Sequence, residues 1–161
     1  MPKRAPLCKG SCLLHQQKTE GLKNKLFALK RIYILYKKGK PIMKVSEIMK
    51  ALDAELIYGE DFLDRDVFSA CGSDMMSDVL AYVKEQAVLL TGLVNPQVVR
   101  TAEMMDMRCI VFVRGKKPDE SMIELAKENG IPLLRTKREM FTSCGILYEN
   151  GLRGGAHRYH E

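Results

Sequence analysis

Apolar and polar positions alternate in blocks along the second half of the chain, and each block has the length of a strand or a helix. Short, almost wholly apolar runs predict strands buried on both faces, whereas apolar residues at every third or fourth position predict amphipathic helices. Three strand and helix pairs follow one another: 87–91 with 96–107, 109–113 with 118–129, and 132–135 with 137–150. This alternation predicts an α/β layered fold, Rossmann-like, with a mostly parallel sheet flanked by helices.

The pattern before residue 87 is less regular. It predicts a helix over 46–52, an extended stretch over 55–58, a strand over 67–71 and a helix over 73–84. Ser46 and the Ser73-Asp74 pair are the predicted starts of the two helices. At the other helix ends, Gly130 and Gly151 are placed as C-terminal caps.

The sequence predicts two further helix starts. In LLTGLVNPQVVR, residues 89–100, an apolar run stops at Thr91-Gly92, and Asn95-Pro96 opens a segment with helical spacing. Asn is a favoured N-cap, and Pro at the first helical position loses no needed N–H. Thr136 and Glu139 have the spacing of a capping box.

Positive charge is concentrated at the start of the chain. Residues 1–42 carry eleven Lys or Arg and one acidic residue, whereas the remainder carries fifteen basic and nineteen acidic residues. Apolar side chains repeat at helical spacing among the lysines, at Leu22, Leu26, Leu29, Tyr33 and Tyr36. This segment is a nucleic-acid-binding arm, a targeting sequence, or a disordered or non-native start before Met43. It lacks the apolar core and cleavage site of a secretory signal. We favour the last interpretation, so nucleic acid is not the expected partner.

These boundaries divide the chain into a basic extension over 1–42, a folded domain over 43–152 and a tail over 153–161. No apolar run approaches the roughly eighteen residues of a membrane span. The number of cysteines, five, is odd. Cys71 and Cys109 lie in or beside apolar runs and Cys144 lies in a helical pattern, which is typical of buried thiols in a reducing compartment. We therefore expect a cytoplasmic protein.

Ligands of parallel α/β sheets bind at the carboxyl ends of the strands. The loops at that edge read TGLVNP, VRGKKP and RTKRE, and they carry six cations: Arg114, Lys116, Lys117, Arg135, Lys137 and Arg138. Cations and helix N-termini both favour an anion, so we expect a phosphate-bearing molecule or nucleotide here. The predicted ligand-binding residues are Thr91, Gly92, Asn95, Arg114, Gly115, Lys116, Thr136 and Lys137. The alternative is a solvated basic rim.

Sequence signals for catalysis are weak. The chain has no G-x-x-x-x-G-K-[ST] loop, and no histidine lies between Met43 and Ala156 to activate a nucleophile. The acidic cluster Glu60, Asp61, Asp64 and Asp66 lacks EF-hand spacing, and Cys8, Cys12 and His15 lack a fourth ligand. We expect no catalytic residues, no metal and no resident cofactor.

Methionine is abundant, with ten residues. Met76, Met104 and Met107 have core spacing, but adjacent pairs such as Met104-Met105 cannot both face one core. This excess indicates a soft protein interface, and a homodimer is the expected state.

The stretch VSEIMKALDAELIYG, together with the segment from AVLLTGLVNP to SCGILYENGL, resembles the DRTGG domain family over nearly all of residues 43–152. The resemblance implies an α/β module for dimerisation and regulation, without established activity of its own. Related modules precede HPr kinase/phosphorylase-like and phosphotransacetylase-like enzymes, accompany CBS domains in pyrophosphatases, or stand alone. Where Gly-Asp-Arg and Thr-Gly-Gly would be expected, this chain has Gly92-Leu93-Val94 and Arg114-Gly115-Lys116. One glycine is kept in each place, but the Asp-Arg pair is absent.

The expected function is therefore a non-catalytic regulatory or ligand-sensing and dimerisation module. Two alternatives stay open. One is an accessory subunit of a metabolic enzyme, such as a phosphotransferase or redox complex. The other is a nucleic-acid binder that acts through the basic N-terminal arm.

Overall fold

A computed structural model describes residues 42–83 and 86–154 of the chain. The predictions made for the basic N-terminal segment, for a helix end at Lys84 and for residues 155–161 lie outside these ranges. The strands are β1 (Met43–Lys44), β2 (Glu55–Tyr58), β3 (Asp66–Val67), β4 (Ser69–Gly72), β5 (Ala87–Thr91), β6 (Cys109–Phe112) and β7 (Leu133–Arg135). The helices are α1 (Val45–Ala51), α2 (Met76–Tyr82), α3 (Pro96–Met104), α4 (Glu120–Glu128) and α5 (Met140–Glu149). No helix within the described ranges is long and apolar enough to cross a membrane.

The main sheet has five strands in the order β2-β7-β6-β5-β4. Strands β4 to β7 are parallel, which confirms the predicted mostly parallel α/β fold. Strand β2 is antiparallel to β7. Its sequence precedes the region of alternating strands and helices, which is the region that predicts parallel strands. The strand predicted over 67–71 is two strands, because β3 pairs with β1 in a separate small sheet.

Both faces of the sheet are covered, because its strand residues point alternately to two apolar clusters. Leu89 and Ile110 pack with α2, α3 and α4 on one face. Val88 and Val111 pack with α1 and α5 on the other. Burial on both faces explains why the strands read as continuous apolar runs, and it fixes the position of the loops at the strand ends.

Four helices end in the same backbone motif, in which the chain turns through the left-handed region. After α4, Gly130 has φ of 60°, its N–H donates to Lys127, and the next N–H donates to the carbonyl of Ala126 at 2.9 Å. Gly151 does the same after α5, so both predicted glycine caps are confirmed. Helices α1 and α3 use aspartates, Asp53 and Asp106, in this position.

The predicted start of α3 is confirmed. The side-chain oxygen of Asn95 accepts a hydrogen bond of 2.9 Å from the backbone N–H two residues later, and Pro96 is the first helical residue. Helix α4 begins at Glu120 rather than Pro118, because Asp119 caps it through a 2.9 Å bond from a backbone N–H. Side-chain acceptors therefore set both of these boundaries.

The other three predicted starts are wrong. Helix α2 begins at Met76 and α5 begins at Met140, in each case three or four residues after the predicted cap. The hydroxyls of Ser73 and Thr136 accept a backbone N–H two residues later, and these bonds form turns instead of helical caps. Ser46 already lies inside α1.

The backbone that follows α5 covers the free edge of β4. The N–H of Ala70 donates to the carbonyl of Arg153 at 2.9 Å. Leu152 is buried, and the guanidinium of Arg153 lies 3.8 Å from the centre of the Tyr148 ring. This segment is therefore anchored to both the sheet and α5.

Candidate functional site

The loops that follow β5, β6 and β7 meet at the carboxyl edge of the parallel strands. They form two neighbouring sites. The first, here called the Gly92 turn, consists of residues 91–95 with Asp74 and Arg114. The second, the β2–β7 cleft, lies between residues 52–55 and 135–138.

The centre of the Gly92 turn is occupied by a carboxylate of the chain itself. One oxygen of Asp74 accepts hydrogen bonds from the Thr91 hydroxyl at 3.0 Å and the Gly92 N–H at 2.6 Å. Its other oxygen pairs with the Arg114 guanidinium at 2.9 Å. Asp74 thus lies where the sequence predicts an external anion.

The charge state of Asp74 follows from these contacts. Partial burial opposes ionisation, but hydrogen bonds from the Gly92 backbone, the Arg114 guanidinium and the Thr91 hydroxyl outweigh it and hold the pKa of Asp74 below its ordinary value. The carboxylate is therefore ionised at neutral pH and compensates the charge of Arg114.

Arg114 and Gly115 form the tip of a tight turn after β6. Both have positive φ, 60° and 66°, and the Lys116 N–H closes the turn onto Val113 at 3.2 Å, as in a type I′ turn. The Arg114 guanidinium lies directly over Gly92, where a β-carbon would overlap it. A side chain at position 92 would therefore push the guanidinium away from Asp74, so glycine here permits the Arg114–Asp74 ion pair.

Hydrogen bonds connect this turn to the loop after β7. The backbone N–H of Arg114 donates to the carbonyl of Arg138 at 2.8 Å, and the N–H of Gly115 donates to that of Thr136 at 2.9 Å. The Thr136 hydroxyl and the Nε of Arg138 in turn donate to the carbonyl of Leu52, at 2.8 and 3.1 Å. Because Leu52 ends α1, this loop also caps that helix.

The β2–β7 cleft is open to solvent and has a volume of about 460 Å³. Its walls carry three cations, Arg135, Lys137 and Arg138, and two carboxylates, Asp53 and Glu55. This volume lies within the range of small-molecule sites.

Two cations of the cleft, Arg135 and Lys137, act on the carboxyl group of Glu55. The guanidinium of Arg135 donates a hydrogen bond to the Glu55 carboxylate and forms an ion pair with it. That bond, with the charges of Lys137 and Lys117, lowers the pKa of Glu55. Lys117, on the loop after β6, therefore adds its positive field to the cleft.

A model of the DRTGG domain family matches residues 47–149. This chain belongs to the DRTGG domain family. The resemblance noted from the sequence is thereby confirmed. No curated protein matches the chain.

The DRTGG domain is also similar to a solved structure, described as the CBS and DRTGG domains of the regulatory region of Clostridium perfringens pyrophosphatase complexed with the activator diadenosine tetraphosphate. The TM-score is 0.54 and the sequence identity is 19%, over 65% of this chain and 46% of that one. The likeness shows a shared fold, and the chain spans less than half the length of its neighbour.

The predicted site residues of this DRTGG domain divide between the two sites. Thr136 and Lys137 lie on the cleft. The others surround or adjoin the Gly92 turn: Thr91, Gly92, Asn95, Arg114, Gly115 and Lys116. Asn95 serves as the cap of α3, and Lys116 is exposed beside the turn.

Sequence reasoning missed the acidic residues of these sites, of which Asp74 and Glu55 form ion pairs and Asp53 lines the cleft. Asp74 follows β4 at the same edge as the predicted loops, but Ser73-Asp74 also has the form of a helix start, and the distant partners of Asp74 leave no local mark in the sequence. Glu55 reaches this edge only because β2 is antiparallel, so that its first residue lies opposite Arg135. The direction of β2 could not be obtained from the sequence pattern.

The acidic loop near residue 60 contributes an ion pair. Asp64 pairs with the Lys44 ammonium at 3.0 Å. Within the described ranges, no group of three or more His, Cys, Asp or Glu side chains is arranged to hold a metal. Burial raises the pKa of the Cys109 thiol, which opposes its use as a nucleophile.

Proposed function

We propose that this DRTGG domain is a non-catalytic regulatory module that binds a phosphate-bearing small molecule, a nucleotide above all, in the β2–β7 cleft. The observation that carries this proposal is the convergence of Arg135, Lys137 and Arg138 on one open cleft of about 460 Å³. Planar guanidinium groups and ammonium groups are the side chains that bind phosphate most strongly.

The cleft is a better place for the ligand than the Gly92 turn. In the turn, the Gly92 N–H and the Arg114 guanidinium already bind Asp74, and the Thr91 hydroxyl does so as well. In the cleft, the Lys137 ammonium has no acceptor among the described residues and is exposed. An incoming anion would therefore gain a contact with Lys137 without displacing any hydrogen bond of that side chain.

The remaining predicted residues act in this proposal as a scaffold. The backbone bonds from Arg114 and Gly115 fix the loop that carries Lys137, and Asp74 fixes Arg114. Lys116 extends the positive rim from the adjoining turn. A bound phosphate would thus meet cations held on fixed loops, which reduces the ordering cost of binding.

Dimerisation is the second part of the proposal. Helix α5 begins two residues after Arg138, and its outer face presents Phe141, 90% exposed, and Tyr148, 59% exposed, on either side of Gly145. Exposed aromatic side chains beside a small residue favour close contact with another molecule. Because the cleft loop leads directly into this helix, ligand binding and dimer formation would be coupled.

The pyrophosphatase region that shares the fold binds diadenosine tetraphosphate, which supports a test with adenine nucleotides. We would measure thermal unfolding of the full chain with mono-, di- and triphosphates of adenosine and guanosine, diadenosine tetraphosphate, acetyl phosphate and inorganic phosphate. A ligand at a hundred times its dissociation constant adds about 2.7 kcal/mol of stability, a shift of several degrees.

Lys137→Ala should then weaken binding about tenfold, as expected for a lost hydrogen bond to a charged group. The matched control is Lys127→Ala, which removes an exposed lysine at the far end of α4, near the amino ends of the strands. Equal losses in both variants would show only a general charge effect. If no member of the panel shifts the transition, the cleft is not a nucleotide site, and an accessory role with a protein partner becomes the better proposal.

A further inference from the structure

Arg135 and Glu55 differ strongly in how far they are buried. The side chain of Arg135 is only 18% exposed, whereas that of Glu55 is 59% exposed. The guanidinium is therefore held by the surrounding structure, and the carboxylate approaches it from the solvent side. Since a partly buried cation needs a counter-ion, the chain provides one that can leave at little cost.

The strand register explains why these two residues meet. Glu55 is the first residue of β2 and lies opposite Arg135, the last residue of β7, in the antiparallel pair. Arg135 forms part of the cleft wall together with Lys137 and Arg138. Within the described ranges, Glu55 is the one acceptor bound to the Arg135 guanidinium.

We propose that Glu55 is an exchangeable counter-ion, which occupies the anion position on Arg135 until a phosphate-bearing ligand displaces it. In the free state, the ion pair keeps the partly buried guanidinium compensated and ready in the cleft. In the bound state, ligand oxygens take over Arg135 and also reach Lys137 and Arg138, while Glu55 turns to solvent. Because the exchange needs an anion in the cleft, it rests on the proposed function.

The exchange makes Glu55 a determinant of affinity. Each binding event must break the ion pair, so wild-type affinity is lower than the cations alone would give. Exposed ion pairs are weak, and their loss corresponds to about a two- to fivefold change in an equilibrium constant. Glu55→Gln should therefore bind inorganic pyrophosphate about two- to fivefold more tightly than the wild-type chain, measured by isothermal titration calorimetry.

The matched control is Asp53→Asn. It removes an equal negative charge from the same cleft, but from a carboxylate without an ion-pair partner among the described residues. Exchange predicts a clearly larger gain for Glu55→Gln than for Asp53→Asn, whereas a general field effect predicts equal gains. A second variant, Glu55→Asp, keeps the charge and shortens its reach, and it should also bind more tightly than wild type.

A direct readout is the titration of Glu55 followed by carbon NMR of its carboxyl group. In the free chain, Arg135, Lys137 and Lys117 hold the pKa of Glu55 below its ordinary value. With pyrophosphate saturating the cleft, the pKa should rise, because the Arg135 partner is lost and a ligand anion lies nearby. A pKa of Glu55 that does not change on saturation would overturn the exchange.

The outcomes separate the two proposals. Pyrophosphate binding by wild type with no gain in Glu55→Gln, or with equal gains in both charge variants, overturns the exchange and leaves the proposed function intact. Absence of pyrophosphate binding by both wild type and Glu55→Gln overturns the exchange, whereas the proposed function is overturned only if the nucleotide and phosphate panel also fails to shift the unfolding transition. A larger gain in Glu55→Gln, with a raised pKa of Glu55 in the complex, supports the exchange.

Discussion

Asp74 is a single side chain that joins three loops of the sheet edge. One of its oxygens accepts hydrogen bonds from the Thr91 hydroxyl and the Gly92 N–H, which lie at the end of β5 and just after it. The other oxygen binds the guanidinium of Arg114, which follows β6. A carboxylate that accepts several hydrogen bonds is stabilised in its charged form. The stability of this edge therefore depends on the ionisation of one residue.

We predict that Asp74→Asn lowers the free energy of unfolding by about 1 kcal/mol at pH 7, since it removes a solvent-exposed ion pair and weakens charged hydrogen bonds. The pKa of Asp74 is lower in the folded state, so its contribution is present above the unfolded pKa of about 3.9 and is lost as pH falls through the folded value.

Unfolding by urea from pH 7 down to about pH 3 should accordingly show the two stability curves converging on the acid side. Glu124→Gln, which removes an exposed charge from α4, is the control and should change stability by less than about 0.5 kcal/mol. A constant difference between wild type and Asp74→Asn at every pH would contradict this role of the carboxylate.

At the residue scale, the sequence predicted contacts that are local and missed those that are not. Asn95 was predictable as a cap, because its partner lies two residues away. Asp74 binds groups 17, 18 and 40 residues further along the chain. Which acidic residue satisfies Arg114 depends on the strand order, and no local pattern contains that information.

At the scale of elements, the helix ends show how backbone geometry selects residues. Gly130 has positive φ, and a β-carbon there would lie 3.4 Å from the Phe62 ring, an ordinary contact. The conformation, rather than a lack of space, is therefore the reason for glycine. A residue with a β-carbon destabilises the folded protein when its φ is positive, and Asn does so least.

We predict that Gly130→Ala lowers the free energy of unfolding by about 1–2 kcal/mol. The control is Gly130→Asn, which adds the same β-carbon but tolerates positive φ, and its cost should be clearly smaller. Chemical denaturation of both variants measures the difference. Equal costs would instead indicate that the contact with Phe62 is responsible.

Helix ends were more predictable than helix starts for a physical reason. A left-handed turn favours glycine or a small polar residue, so the glycines at positions 130 and 151 can be recognised in the sequence as helix ends. A hydroxyl near a helix start can either cap the helix or close a turn before it. Ser73 and Thr136 do the second, and the sequence does not distinguish these uses.

At the scale of the whole molecule, the mostly parallel sheet was predictable because alternating strands and helices admit few topologies. The direction of β2 was not predictable, since the sequence of a short strand after a short helix does not indicate which strand it pairs with. That direction decides which residues form the β2–β7 cleft. The sequence thus predicted an anion site at the carboxyl edge of the strands, but it did not predict that Glu55 of β2 would line the cleft there.

The proposed dimer is tested at this scale. Phe141→Ser should shift the chain toward monomer in sedimentation velocity experiments, because it removes the most exposed aromatic side chain of α5. Met104→Ser is the matched control, since Met104 has core spacing in the sequence but is 72% exposed on α3, where the adjacent pair Met104-Met105 was the sequence argument for an interface. Dissociation by Met104→Ser alone would place the interface on the α3 side instead.

The segment that follows α5 bears on the behaviour of the protein at high concentration. Strand β4 is at the end of the sheet order, and an open edge of this kind is a template for pairing with strands of other molecules. The N–H of Ala70 is already bound to the Arg153 carbonyl, and the stacking of Arg153 on Tyr148 holds that cover in place. The sheet is therefore hindered from growing from one molecule to the next along this edge, and resistance to aggregation depends here on a few residues of irregular backbone.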